Sequence, residues 1–157
     1  MRTKVLLVDD SPPVRLSLEH ILLRQGVQKE LLRSAASEAE AWTMFEELEP
    51  NLVFMDIDLG ERAPTQPGMT VAAGVLSPRD EAVHSSMGGE ALAKRMLAKD
   101  PRLKIVICTG LAPEDPRVRK MIVWGAFDVV SKPLRAARIA EVLRLAEQEE
   151  YRLDRTR

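Results

Sequence analysis

Residues 51–60 read Asn-Leu-Val-Phe-Met-Asp-Ile-Asp-Leu-Gly, and the fold turns on how this run is taken. Leu52, Val53, Phe54 and Met55 are apolar without polar alternation, the pattern of a strand covered on both faces in a parallel sheet. The run stops on Asp56. In open parallel sheets, ligands and reacting groups gather just beyond the carboxyl ends of such strands. Asp56 is therefore the first candidate for a functional acid, with an ordinary Asx-type turn as the plain alternative.

Upstream, Val5-Leu6-Leu7-Val8 is a second buried-strand run, ending in Asp9-Asp10-Ser11-Pro12-Pro13. Adjacent carboxylates repel unless water or a cation screens them, and a hard divalent ion takes oxygen ligands. The competing use of Asp10 or Ser11 is to cap the helix that follows. Val14, Leu18, Ile21 and Leu22 lie on one face of that helix, which stops at Gly26. Residues 29–34 are a weaker strand candidate. Ser37-Glu38-Ala39-Glu40 has the form of a capping box, opening a helix with Ala41, Met44, Phe45 and Leu48 that Glu49-Pro50 closes.

Downstream, residues 61–86 hold Pro64, Pro67, Gly68, Gly74 and Pro78 around a modest apolar patch, residues 69–76. Connections this long are uncommon in compact domains. His84 lies here and reads as a solvated loop histidine rather than a phosphotransfer or metal residue. Regularity returns at Gly88-Gly89-Glu90 with a helix carrying Leu92, Met96 and Leu97, which Asp100-Pro101 ends. The strand Leu103–Cys108 closes on Thr109-Gly110. A helix over 113–124 presents Val118, Met121 and Ile122, with Pro116 near its start. The strand 126–130 ends in Ser131-Lys132-Pro133. The last helix, from Leu134, places Ile139, Val142, Leu143 and Ala146 on one face before a polar, frayed stretch from Glu147 to Arg157.

The 157 residues are enough for one core: a domain over 1–150 with a tail at 151–157. The chain is 45% hydrophobic and 30% charged with net charge −1, which gives no electrostatic footprint for nucleic acid. Without a long apolar run or a signal-peptide pattern, the expected location is cytoplasmic, away from membrane. The single cysteine, Cys108, reads as a small buried side chain.

Strands alternating with helices imply right-handed crossovers and a parallel sheet. Asp9, Asp10, Asp56, Thr109 and Lys132 all close strands, so this topology collects them at one edge. A nucleophilic carboxylate, acids for a divalent cation, a hydroxyl and an ammonium are the parts that phosphoryl transfer uses, since positioning and charge neutralisation supply most of its catalysis.

In this order the five residues resemble the receiver domain of two-component response regulators, over roughly residues 3–147. The resemblance implies an α/β, (βα)5 flavodoxin-like fold with strand order 2-1-3-4-5 and a long insertion, 61–86, between strand 3 and helix 3. It further implies that Asp56 accepts phosphate from a histidine kinase or histidine phosphotransfer protein. Mg²⁺ would be held by Asp9, Asp10, Asp56 and the backbone carbonyl of Asp58. Thr109 would bond one phosphoryl oxygen and Lys132 another, and a downstream protein or output domain would read the state. With only a short tail after the last helix, the chain is expected to act in trans or to be a fragment cut at a linker.

Three positions depart from the family pattern. The 61–86 segment stands beside the acceptor, as a gate or a tolerated surface insertion. Val129 occupies the place, three before the lysine, of an aromatic switch residue. Asp58 brings a further carboxylate near the phosphoryl group, which would change its lifetime. Two other readings compete. One is a receiver-like interaction module that works without phosphorylation. The other takes Asp56-Ile57-Asp58 as the Asp-x-Asp of haloacid-dehalogenase-type phosphatases, although that family puts the motif on its first strand and its metal-binding acids after the lysine.

Overall fold

The computed structural model describes residues 2–60 and 88–155. The segment 61–86, with His84, lies outside the described residues. Five strands form one parallel sheet: β1 (Val5–Val8), β2 (Leu32–Ala35), β3 (Leu52–Asp56), β4 (Lys104–Thr109) and β5 (Asp128–Ser131). Their spatial order is β2-β1-β3-β4-β5, the doubly wound flavodoxin-like arrangement. The described helices are α1 (Pro12–Arg24), α2 (Glu38–Leu48), α3 (Gly89–Lys99), α4 (Pro116–Val123) and α5 (Ala136–Arg155).

The unbroken apolar runs follow from helices on both faces. Leu6, Val8, Val53, Met55, Ile105 and Ile107 pack with Phe45 of α2, Leu92 and Met96 of α3 and Met121 of α4. The alternate residues Val5, Leu7, Leu52, Phe54 and Val106 pack with Leu18 and Leu22 of α1 and with Ile139, Val142 and Leu143 of α5. Both sets are almost fully buried, and each large side chain so covered contributes roughly 1.5–3 kcal/mol.

Local signals place the helices. Ser37 Oγ accepts from Glu40 N at 3.3 Å, and Glu40 Oε2 accepts from Ala36 N at 3.2 Å, a reciprocal cap on α2. Glu49 then takes a left-handed φ of 50°, so α2 stops before Pro50. At α4, Asp115 Oδ1 caps Arg117 N at 2.9 Å, which starts the helix at Pro116 rather than at 113. Strand β5 lies two residues later than the sequence pattern placed its start. The last helix continues to Arg155, through the stretch expected to be frayed; Glu, Gln, Arg and Leu, which fill it, are good helix formers.

Register sets the site. Val8 faces Met55, so Asp9 and Asp56 leave neighbouring strands at one level. Asp56 pairs with Cys108 and Thr109 with Ser131, bringing Thr109 and Lys132 to the same edge.

Candidate functional site

At this edge the strands turn from apolar to charged within one residue. Asp56 is 1% exposed and Asp9 is 5% exposed. Lys132 Nζ reaches both carboxylates, at 3.1 Å to Asp9 Oδ2 and 3.1 Å to Asp56 Oδ1. Asp9 Oδ1 accepts the Ser11 amide at 2.8 Å, and Asp56 Oδ1 also accepts the Asp58 amide at 3.2 Å. Two buried oxygens of this cluster are without a hydrogen-bond partner among the described residues: Asp10 Oδ1 and Asp56 Oδ2.

Capping does not use Asp10. Ser11 is the N-cap residue of α1, without a side-chain cap bond. Instead Asp9, Asp10 and Asp56 each offer a carboxylate oxygen, and these oxygens lie within 4.8 Å of one another. Three acids against one ammonium leave an excess of negative charge. Orphaned buried acceptors are costly, and a divalent cation with oxygen ligands would satisfy both excesses at once. The residues present therefore fit Mg²⁺.

Electrostatics agree. Burial, and next the charge of Asp9, push the Asp56 carboxyl above its ordinary range, against the pull of Lys132. Burial works against the Lys132 ammonium, but the Asp56 and Asp9 carboxylates outweigh it and hold its pKa above the usual lysine value. Burial pushes the Cys108 thiol up to about 12, which fits its reading as a packing residue.

Thr109 is fully buried. Its Oγ1 accepts the Leu111 amide at 3.1 Å, and its carbonyl accepts the Lys132 amide at 2.7 Å. The hydroxyl proton is thereby left for another acceptor. Asp58 is half-buried, in the turn that follows Asp56. At Val129 the small side chain lines a cleft of about 540 Å³ with Pro113, Val118, Pro133, Arg135 and Arg138. Arg138 spans from α5 to Asp128 Oδ1 at 2.8 Å.

Two residues that the sequence reading did not single out as part of the site shape it. Arg15 Nη1 donates to the Asp9 carbonyl at 2.6 Å. Gly89, the first residue of α3, donates its amide to the Ile57 carbonyl at 3.2 Å, and a Cβ there would overlap the Asp56 carbonyl. The Gly88-Gly89 pair was visible as a helix start; its contact with the acid was not.

No family model matches the chain. Individual proteins do. The chemotaxis protein CheY of Thermotoga maritima is 28% identical over 143 residues, covering 91% of this chain and 96% of that protein. A protein-glutamate methylesterase/protein-glutamine glutaminase of Anaeromyxobacter dehalogenans is 30% identical over 162 residues, covering 97% of this chain but only 38% of the larger protein. Among solved structures, the receiver domain of NtrX from Brucella abortus superposes with a TM-score of 0.67 at 25% identity, covering 90% and 96% of the two chains. The CheY and NtrX matches, over nine-tenths of the chain and of each partner, together with the fold, support a receiver domain of the response-regulator class.

Proposed function

We propose that this receiver takes a phosphoryl group onto Asp56 from the phosphohistidine of a histidine kinase or histidine phosphotransfer protein, and passes the resulting state to a downstream protein or output domain by contact. An Asp56 oxygen attacks phosphorus, the phosphorus–nitrogen bond breaks, and the imidazole leaves with that electron pair. The chain then promotes only its own phosphorylation and dephosphorylation. The reading places it in the cytoplasm, where such donors work.

The observation that carries this is the state of Asp56: buried at a strand end, with one oxygen bound to Lys132 and the other partnerless. Asp10 and Asp56 would hold Mg²⁺ directly with the Asp58 carbonyl. Asp9, whose two oxygens are engaged by Ser11 and Lys132, would complete the acidic wall. Bound Mg²⁺ would neutralise charge on the transferring group and hold it in line. Thr109 has its hydroxyl proton to give to one phosphoryl oxygen, and Lys132 can move its ammonium from Asp56 to another.

The test is the intact mass of wild type and Asp56→Asn after incubation with acetyl phosphate, with and without Mg²⁺. A phosphoryl adduct only in wild type and only with Mg²⁺ is expected. An adduct on both proteins would place the acceptor elsewhere. The cleft at Val129 supports a second reading, a docking module indifferent to phosphorylation; partner binding that survives Asp56→Asn unchanged would select it.

A further inference from the structure

We infer that Arg15 is a positioning residue for the divalent-cation pocket; this rests on the Mg²⁺-dependent reading above and adds a residue to it. The turn from β1 into α1 is short of amide donors. Pro12 and Pro13 fill the first two helical positions and carry no N–H, and Ser11 makes no side-chain cap bond. A cation at the start of a helix is disfavoured by the macrodipole, so Arg15 needs a contact that offsets its placement. It has one in the 2.6 Å charge-assisted bond from Nη1 to the Asp9 carbonyl.

That bond completes the engagement of Asp9. Its amide donates to Ala35 O at 3.1 Å, Oδ1 accepts from Ser11 N, Oδ2 accepts from Lys132 Nζ, and its carbonyl accepts from Arg15. The Asp9 carbonyl belongs to the planar peptide unit that also contains the Asp10 nitrogen. Fixing this plane fixes the direction in which Asp10 leaves the chain. The half-buried Arg15 thus keeps the Asp10 carboxylate within the Asp9–Asp10–Asp56 cluster without itself touching the cation.

Charge and positioning predict opposite signs. Removing a cation near a cation pocket strengthens Mg²⁺ binding by Coulomb's law. Removing a group that orients a ligand weakens metal binding, by about tenfold or more. Isothermal calorimetry with Mg²⁺ on wild type, Arg15→Gln, Arg15→Lys and Arg24→Gln at the far end of α1 separates them. Arg15→Gln is expected to weaken Mg²⁺ about tenfold, Arg15→Lys by less, and Arg24→Gln not at all. In acetyl phosphate reactions, Arg15→Gln should need about tenfold more Mg²⁺ for half-maximal rate, with the plateau rate kept within about twofold, a split that general loosening of the fold would not give. Equal or tighter Mg²⁺ binding by Arg15→Gln overturns the inference and leaves the function standing. No Mg²⁺ binding by wild type overturns both. If Arg15→Gln does not fold, Arg15→Lys decides by the same midpoint, wild-type affinity counting against positioning.

Discussion

The middle of the sheet and its carboxyl edge are made from the same strands and do opposite things. In the middle, Leu6, Val53, Phe54, Ile105 and Val106 are fully or almost fully buried apolar side chains, each favouring the fold by roughly 1.5–3 kcal/mol. Two to four residues further along, Asp9, Asp56 and Thr109 are almost as buried, and polar, with two carboxylate oxygens of the site left unbonded. Each such orphan costs roughly 1–3 kcal/mol. A chain selected only for stability would not end its strands this way. The lesson is that the edge is held in place by the middle, and that its clustered acids and unpartnered oxygens could hold a metal ion.

The largest effect that would sharpen this contrast is in the middle. Phe54→Ala should lower unfolding free energy by about 3–5 kcal/mol, measured by urea denaturation, while Asp56→Asn, two residues away, should stabilise. A destabilisation by Asp56→Asn comparable to that of Phe54→Ala would dissolve the distinction.

Gly89→Ala probes the boundary between the two regions. Its methyl would meet the Asp56 carbonyl, so α3 or the acceptor strand must shift. A loss of about 1–3 kcal/mol is expected, together with slower labelling by acetyl phosphate. Wild-type values for both would mean that the helix start yields freely.

The smallest expected change is kinetic. Asp58→Asn removes a carboxylate beside the acceptor without touching the core, and should alter the phosphoryl half-life by a few-fold, read by intact mass after donor removal. An unchanged half-life would leave Asp58 with its amide bond to Asp56 Oδ1 as its whole contribution.

Much of this was legible because the two regions write differently in sequence. A strand covered on both faces leaves an unbroken apolar run, and an acid, hydroxyl or lysine that ends it stands out. Other features are tertiary and leave no such trace. Whether Asp10 capped α1 or faced Asp56 was open, since either use fits Asp-Asp-Ser-Pro-Pro. Arg15 bonds a carbonyl six residues back, a spacing with no periodic signature. Gly89 looks like any small residue at a helix start until the Asp56 carbonyl lies against it. Paired register in β5 begins only at Asp128 opposite Val106, although Phe127 N already donates to Ile105 O at 2.8 Å, and apolar content alone does not register where pairing starts.

That the edge is strained by charge until a cation joins it can be checked by thermal unfolding of wild type and Asp56→Asn across pH, with and without Mg²⁺. Burial, and next the charge of Asp9, raise the Asp56 carboxyl in the folded state above the ordinary aspartate value of about 3.9. The folded state therefore binds this proton more tightly than the unfolded chain, and stability falls as pH rises from about 3.9 through the folded pKa. Without Mg²⁺, the variant should melt higher than wild type at neutral pH, and this advantage should fade as the pH is lowered towards and below that window. Mg²⁺ should raise the wild-type midpoint and raise that of Asp56→Asn less. A variant that melts lower than wild type at neutral pH, or gains as much from Mg²⁺, would contradict the claim.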